Sequence, residues 1–187
     1  SLTGLGGIYR AQGKYADAEP LLQRSLEIVE KAVGPEDMEV SAGLNNLAVL
    51  YDAQERYADS EPLHKRAVSI AEKVLGPDDP ELAPSLNTLA GLYRDQGKFS
   101  EAEPLFKRSL SIREKALGPD HLDVARSLSG LAGLYHMQKR YAEAEPFYRR
   151  SLAIVERSTG SEHPDLATAL YSMATLYRDQ GKYESAE

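Results

Sequence analysis

The chain has 187 residues, a net charge of −7 and no cysteine. This acidic balance gives no field that attracts phosphate backbones or anionic lipid, and the missing thiols exclude disulfides and thiolate metal sites. No apolar run approaches the roughly 20 residues needed to cross a bilayer, so we expect a soluble, cytoplasmic protein without nucleic-acid or membrane partners.

One interval organises the whole sequence. A tyrosine recurs every 42 residues, at Tyr9, Tyr51, Tyr93, Tyr135 and Tyr177, and series of glutamine, proline and glycine keep the same step. A fixed period of this size is typical of a solenoid, in which each repeat buries its apolar face against its neighbours. We expect a single array over residues 1–187, with repeats over 1–34, 35–76, 77–118, 119–160 and 161–187. The first and last repeats look truncated, so a longer natural protein is expected.

The second repeat shows the elements in chain order. After the loop at Gly34-Pro35, apolar residues at helical spacing predict a first helix over roughly residues 38–53. A second helix is predicted from about residue 58 to residue 75, where Gly76-Pro77 ends it. Pro62 should lie in or just past the first turn of this second helix, and Pro84 should distort the start of the next first helix.

A short turn joins the two helices of each repeat. Glycine occupies its centre at Gly13, Gly97 and Gly181, whereas Glu55 and Lys139 take that place in the other two repeats. Glycine there indicates a left-handed backbone, which Glu55 and Lys139 would adopt at some cost. A basic residue follows each time, and compensation of the helix dipole explains it without a ligand. These basic residues are Lys14, Arg56, Lys98, Arg140 and Lys182.

The spaced large and small residues of the second repeat, Leu47-Ala48, Tyr51, Tyr57 and Ala67, resemble the tetratricopeptide repeat. The 42-residue length and strings such as Gln96-Gly97-Lys98-Phe99 resemble its kinesin-light-chain class. The resemblance covers essentially the whole chain. It implies an all-α fold, a right-handed α-α superhelix or solenoid of tandem two-helix units. It also implies that the first helices line a concave groove that takes a peptide or helix of a partner.

The groove candidates are the first-helix positions turned away from the packing residues. They are Arg10, Asn45, Val49, Asp52, Asn87, Arg94, Asp95, Arg126, Ser129, His136, Met137, Tyr171 and Arg178. The asparagines suit bidentate hydrogen bonds to a ligand's backbone amide. The arginines and His136 suit acidic groups on the ligand, although aspartates on the same face partly neutralise them.

No residue pattern indicates catalysis, a cofactor or a metal. Of the four histidines, His121 and His163 hold equivalent loop positions that fit helix capping, and His64 stands where other repeats have leucine or an aromatic residue. We therefore expect a non-enzymatic scaffold for protein interactions. Three alternatives stay open: a spacer that associates head to tail through its open ends, a regulatory arm of a longer signalling protein or enzyme, and an RNA-reading helical repeat, which the net charge disfavours.

Overall fold

A computed structural model describes residues 2–159 and 163–182 of the chain. Within these ranges it contains nine α-helices, one 3₁₀ turn at Pro80–Leu82 and no strand. The helices are α1 Leu2–Ala11, α2 Tyr15–Val33, α3 Met38–Asp52, α4 Tyr57–Leu75, α5 Ala83–Asp95, α6 Phe99–Leu117, α7 Leu122–Met137, α8 Tyr141–Thr159 and α9 Pro164–Asp179. No helix of the described ranges is long and apolar enough to cross a bilayer. The all-α class and the alternation of first and second helices are confirmed.

The helices group into two compact halves, an N-terminal half of residues 1–92 and a C-terminal half of residues 93–187. In the N-terminal half α1, α2, α3 and α4 pack in sequence, and in the C-terminal half α6, α7, α8 and α9 do the same. Each helix thus covers its apolar face with its neighbours along the chain, as a solenoid requires.

Side-chain caps start the first helices. The carboxylate of Asp37 accepts from the backbone N–H of Glu39 at 2.8 Å. The histidines do the same, because His121 Nδ1 accepts from Asp123 N and His163 Nδ1 accepts from Asp165 N. An N–H that would otherwise lack a partner is satisfied each time, so the capping role expected of these two histidines is confirmed.

The turns between helices adopt the left-handed backbone predicted for them. Glu55 has φ 57° and Lys139 has φ 60°, close to the 72° to 74° of the glycines at the same repeat position. The backbone of the following residue closes the turn, since Arg56 N donates to Tyr51 O and Arg140 N donates to Tyr135 O, each at 2.9 Å. The turn geometry therefore holds whether or not glycine occupies its centre.

The prolines of the second helices lie just past the first turn, one of the two places predicted for them. Because α4 begins at Tyr57, Pro62 is its sixth residue and lies beyond the first turn. It therefore removes a hydrogen bond inside the helix, a larger cost than one at the helix start. At Pro84 the prediction is confirmed, since a 3₁₀ turn at Pro80–Leu82 replaces the first α-helical turn there.

The tyrosine series connects neighbouring repeats. Tyr51 OH donates to Glu19 on α2 at 3.1 Å, and Arg56 lies 4.2 Å over the Tyr51 ring while its NH1 contacts the same glutamate. Tyr135, Glu103 and Arg140 repeat this arrangement in the C-terminal half. The basic residue after each turn therefore lies over a tyrosine ring, and Arg56, Arg140 and Lys182 also pair with a glutamate, so dipole compensation alone was an incomplete explanation.

Candidate functional site

A cleft of about 230 Å³ opens between α7, α8 and α9 in the C-terminal half. Apolar and polar residues both line it, and we call the apolar set its floor and the hydroxyl-bearing or charged set its rim. The floor consists of Leu122, Ala125, Val155 and Ala169, and the rim consists of Arg126, Ser129, Ser151, Asp165, Thr168 and Ser172. Two of the predicted groove residues, Arg126 and Ser129, thus lie together at a concavity.

The hydroxyl groups around this cleft donate their hydrogen bonds to other groups of the protein. Ser151 donates to Ala125 O at 2.9 Å, so it is Ser129 that donates to Ser151 across their 2.8 Å contact. On α9, Thr168 donates to Pro164 O and Ser172 donates to Thr168 O. A hydroxyl has a single hydrogen but two lone pairs. These side chains therefore offer acceptor oxygens to anything that enters the cleft.

The two charged rim residues differ in their pairing. Arg126 NH1 contacts Asp123 Oδ1 at 2.6 Å, so this arginine is neutralised by its own helix. Asp165 has no lysine or arginine partner within the described ranges. Its nearest basic group is the ring of His163, with Nδ1 3.8 Å from Asp165 Oδ2. That nitrogen accepts a hydrogen bond from the backbone N–H of Asp165. It therefore carries no hydrogen of its own to donate to the carboxylate.

Equivalent positions in the N-terminal half are closed by a polar network. Asn45, the counterpart of Ser129, donates to Ser85 Oγ at 3.2 Å, and its Oδ1 lies 3.0 Å from Nδ1 of His64. His64 Nε2 lies 2.8 Å from Asp52 Oδ2, and the His64 side chain is 0 % exposed. The expectation that His64 replaces an aromatic residue in simple packing was therefore incomplete. Asn45 and Asp52, predicted as groove residues, are engaged inside the protein.

The basic groove candidates of the C-terminal half are partnered by aspartates. Arg94 Nε donates to Asp95 at 2.8 Å, and Arg178 Nε donates to Asp179 at 2.9 Å. His136 Nε2 lies 2.9 Å from the other carboxylate oxygen of Asp179. The hydrogen bond from Arg178, followed by that of His136, holds the pKa of Asp179 below its usual range. These basic side chains therefore already have acidic partners before any ligand arrives.

The remaining groove candidates are scattered. Tyr171 and Met137 are 71 % and 52 % exposed, Arg10 is exposed, and Val49 is half-buried. Asn87 Oδ1 is buried and has no hydrogen-bond partner in the part of the chain that the structure describes. The predicted face is thus a set of unlike surfaces. Arg126 and Ser129 line the cleft, and so does Thr168, which continues the register of Arg126 in the last repeat.

Sequence reasoning missed three rim residues. Ser151 lies on a second helix, and the prediction considered first helices only. On α9, Ser172 lies one position after Tyr171, and Asp165 lies three residues before Thr168, ahead of the first position that was followed. The available signals were the hydroxyl at position 172, four residues after Thr168, and the acid in the first turn of α9. No group of three or more His, Asp and Glu residues suited to a metal occurs in the described ranges.

Comparison with known proteins decides the family. The tetratricopeptide repeat model matches four overlapping segments, residues 1–73, 39–115, 81–157 and 123–187. The chain belongs to the tetratricopeptide repeat family. Proteins of this family are generally scaffolds for protein interactions, and the fold is typically non-enzymatic. No curated protein sequence matches the chain.

Solved structures agree with this family membership. A putative kinesin light chain from Podosopora anserina, with nearly identical repeats, is 26 % identical with a TM-score of 0.81, over 99 % of this chain and 87 % of that one. BtubC (BKLC) from P. vanneervenii is 21 % identical with a TM-score of 0.82, over 99 % and 74 % of the two chains. A Rap protein complexed with competence and sporulation factor is 19 % identical with a TM-score of 0.82, over 99 % and 49 %. The predicted kinesin-light-chain-like repeat class and the solenoid fold are confirmed.

Proposed function

We propose that this tetratricopeptide repeat chain binds an extended segment of a partner protein along α7 and α9, with one side chain of that segment in the cleft between α7, α8 and α9. The observation that carries the proposal is the position of the cleft. Its lining combines Arg126 and Ser129 of α7, which were predicted to face a ligand, with polar residues of α9. A Rap protein of the same fold has been solved with competence and sporulation factor, which supports ligand binding by this fold.

The size of the cleft indicates what it holds. Sites for cofactors and drug-sized molecules usually enclose roughly 300–1,000 Å³. At about 230 Å³ the cleft is smaller than that, and its apolar floor suits a single side chain. The rest of the segment would lie across exposed residues such as Tyr171, whose ring offers a large contact surface at a small cost in conformational entropy.

Selection from a random peptide display library on the full chain tests the proposal. We expect enriched peptides whose binding is lost in the Ser172→Trp variant, because an indole at this rim position covers the cleft. The matched control is Thr88→Trp, since Thr88 donates to the carbonyl of the residue four positions earlier, as Ser172 does. Peptides that bind both variants equally, or no enrichment at all, would contradict the proposal.

Sedimentation of the chain across a concentration range checks the structural alternative. A binding module is expected to keep a constant sedimentation coefficient in the absence of peptide. Growth with concentration would favour the self-associating spacer.

A further inference from the structure

The polar groups at the rim of the cleft indicate which type of side chain the cleft holds. We infer that the cleft between α7, α8 and α9 selects a lysine side chain of the partner segment, with its methylenes on the apolar floor and its ammonium among the rim oxygens. This inference rests on the proposed function and names the side chain that the cleft recognises.

The first argument is the balance of donors and acceptors. An ammonium group has three N–H donors and no acceptor, whereas a carboxylate has acceptors only. The oxygens of Ser129, Thr168 and Ser172 have given their hydrogens to protein groups, so each can accept and none has a hydrogen left to donate. A ligand carboxylate would meet lone pairs there, while an ammonium would meet acceptors.

The second argument concerns the start of α9, where a helix usually presents backbone donors to anions. Those donors are already used. Asp165 N donates to His163 Nδ1 at 3.2 Å, Leu166 N and Ala167 N donate to His163 O, and Pro164 has no N–H. The cap of α9 therefore removes the usual attraction for an anion from this side of the cleft.

The third argument is charge. Asp165 lines the cleft without a lysine or arginine partner in the described ranges, and the one cation on the rim, Arg126, is paired with Asp123 at 2.6 Å. The chain as a whole carries −7, which favours the approach of a cationic segment. At this cleft we therefore expect a basic ligand group in place of the acidic groups expected from the sequence.

Shape agrees with charge. Lysine is amphipathic, with a four-carbon stem that packs on apolar surface and a charged end that stays among polar groups. The floor residues Leu122, Ala125 and Val155 provide the apolar surface, and the hydroxyl-bearing residues Ser129, Thr168 and Ser172 line the same cleft. The cleft volume of about 230 Å³ suits one long side chain.

Chemical-shift titration of the ¹⁵N-labelled full chain tests the inference with small probes. The probe is Nα-acetyl-lysine methylamide, compared with its Nε-acetylated form and with the norleucine and glutamate analogues. We expect the lysine probe to shift amides around Ser129, Thr168 and Ser172 and to bind at least about tenfold more tightly than the others, the ratio given by 1.4 kcal/mol. Equal binding of the norleucine analogue, or tighter binding of the glutamate analogue, would overturn the inference.

Two substitutions test whether the lysine probe binds at the rim of the cleft. Asp165→Asn removes the unpaired charge, and Thr168→Val removes an acceptor at constant shape, so each should weaken the lysine probe by about threefold to tenfold. The matched control Thr88→Val, at an equally back-bonded hydroxyl of the N-terminal half, should leave binding unchanged. Circular dichroism of each variant verifies the fold. If Asp165→Asn and Thr168→Val bind the probe as the parent does, the lysine assignment is wrong.

The display selection and the probe titration together distinguish the two proposals. Peptides selected by display that occupy the cleft but contain no basic residue would refute the lysine inference and leave the proposed function intact. A lysine probe that binds while no displayed peptide is enriched would refute the proposed function and leave the chemistry of the cleft standing.

Discussion

Equivalent repeat positions are closed in the N-terminal half and open in the C-terminal half. Asn45 is long enough to contact Ser85 on α5 and His64 on α4 together, so its amide fills the space between three helices. Ser129, its counterpart, has one side-chain hydrogen bond within the described ranges, to Ser151 on α8, and a cleft remains beside α9. The same repeat fold thus holds a closed polar network or an open cleft, depending on the side chains at four register positions, where Asn45, Asp52, His64 and Ser85 are replaced by Ser129, His136, Tyr148 and Ala169.

The largest effect is expected from breaking the closed network. Replacing His64 with leucine, the residue at this register in the first repeat, removes a buried ring and leaves the half-buried Asn45 and Asp52 without their partner. We expect a loss of about 2–4 kcal/mol in the free energy of unfolding, since each orphaned buried polar group costs roughly 1–3 kcal/mol. Urea unfolding measures it. A change below about 0.5 kcal/mol would show that the network contributes little.

Exchanging the side chains of Asn45 and Ser129 tests whether this register position decides between a closed network and an open cleft. Asn45→Ser removes the amide that spans α4 and α5, and should cost about 1–2 kcal/mol through the lost hydrogen bonds. Ser129→Asn should instead fill the cleft, abolishing binding of displayed peptides with little change in stability. Both variants are compared by thermal unfolding and peptide binding. An unaltered peptide affinity in Ser129→Asn would show that this position does not control access.

Acid should weaken the two halves unequally. Within the described ranges, the carboxylates whose pKa is lowered lie in the C-terminal half: Glu103, Glu143, Glu145 and Asp179. For Glu103 the hydrogen bond from Lys107 is the main cause. A carboxylate with a lowered pKa in the folded state stabilises the fold above its unfolded pKa, and that contribution is lost as the pH falls through the folded value.

The pH window therefore runs from about pH 5 down to about pH 3. Amide signals of the C-terminal half are expected to lose intensity before those of the N-terminal half in heteronuclear spectra recorded across this window. Glu103→Gln should flatten the acid dependence of the urea midpoint. Simultaneous loss in both halves, or an unchanged slope in Glu103→Gln, would contradict the assignment.

The smallest effect is expected where the two halves are alike. Glu55 and Lys139 hold left-handed turns that other repeats fill with glycine. Glu55→Gly and Lys139→Gly should each raise the free energy of unfolding by about 0.5–1 kcal/mol, because strain at a side-chain-bearing left-handed residue is relieved. Differential scanning calorimetry compares them. Opposite signs for the two variants would mean that the turns are not equivalent.

The sequence was sufficient for the parts that repeat. The 42-residue tyrosine interval predicted the repeats, apolar spacing predicted their helices, and the glycine turns predicted the left-handed backbone even at Lys139, because the turn geometry recurs along the chain. The acceptor-lined cleft could not be predicted, since it depends on which hydrogen each hydroxyl uses and on how far Ser129 reaches. Those facts arise from helix packing that no spacing encodes.

The most direct test of the account is a ¹⁵N titration of the full chain with the tightest peptide from display selection. The account predicts that the largest shifts lie among residues 125–137 of α7 and residues 165–175 of α9, and that Asn45, Asp52 and His64 stay unshifted. Shifts centred on those three residues, with none around Ser129 and Thr168, would contradict the assignment of recognition to the open cleft.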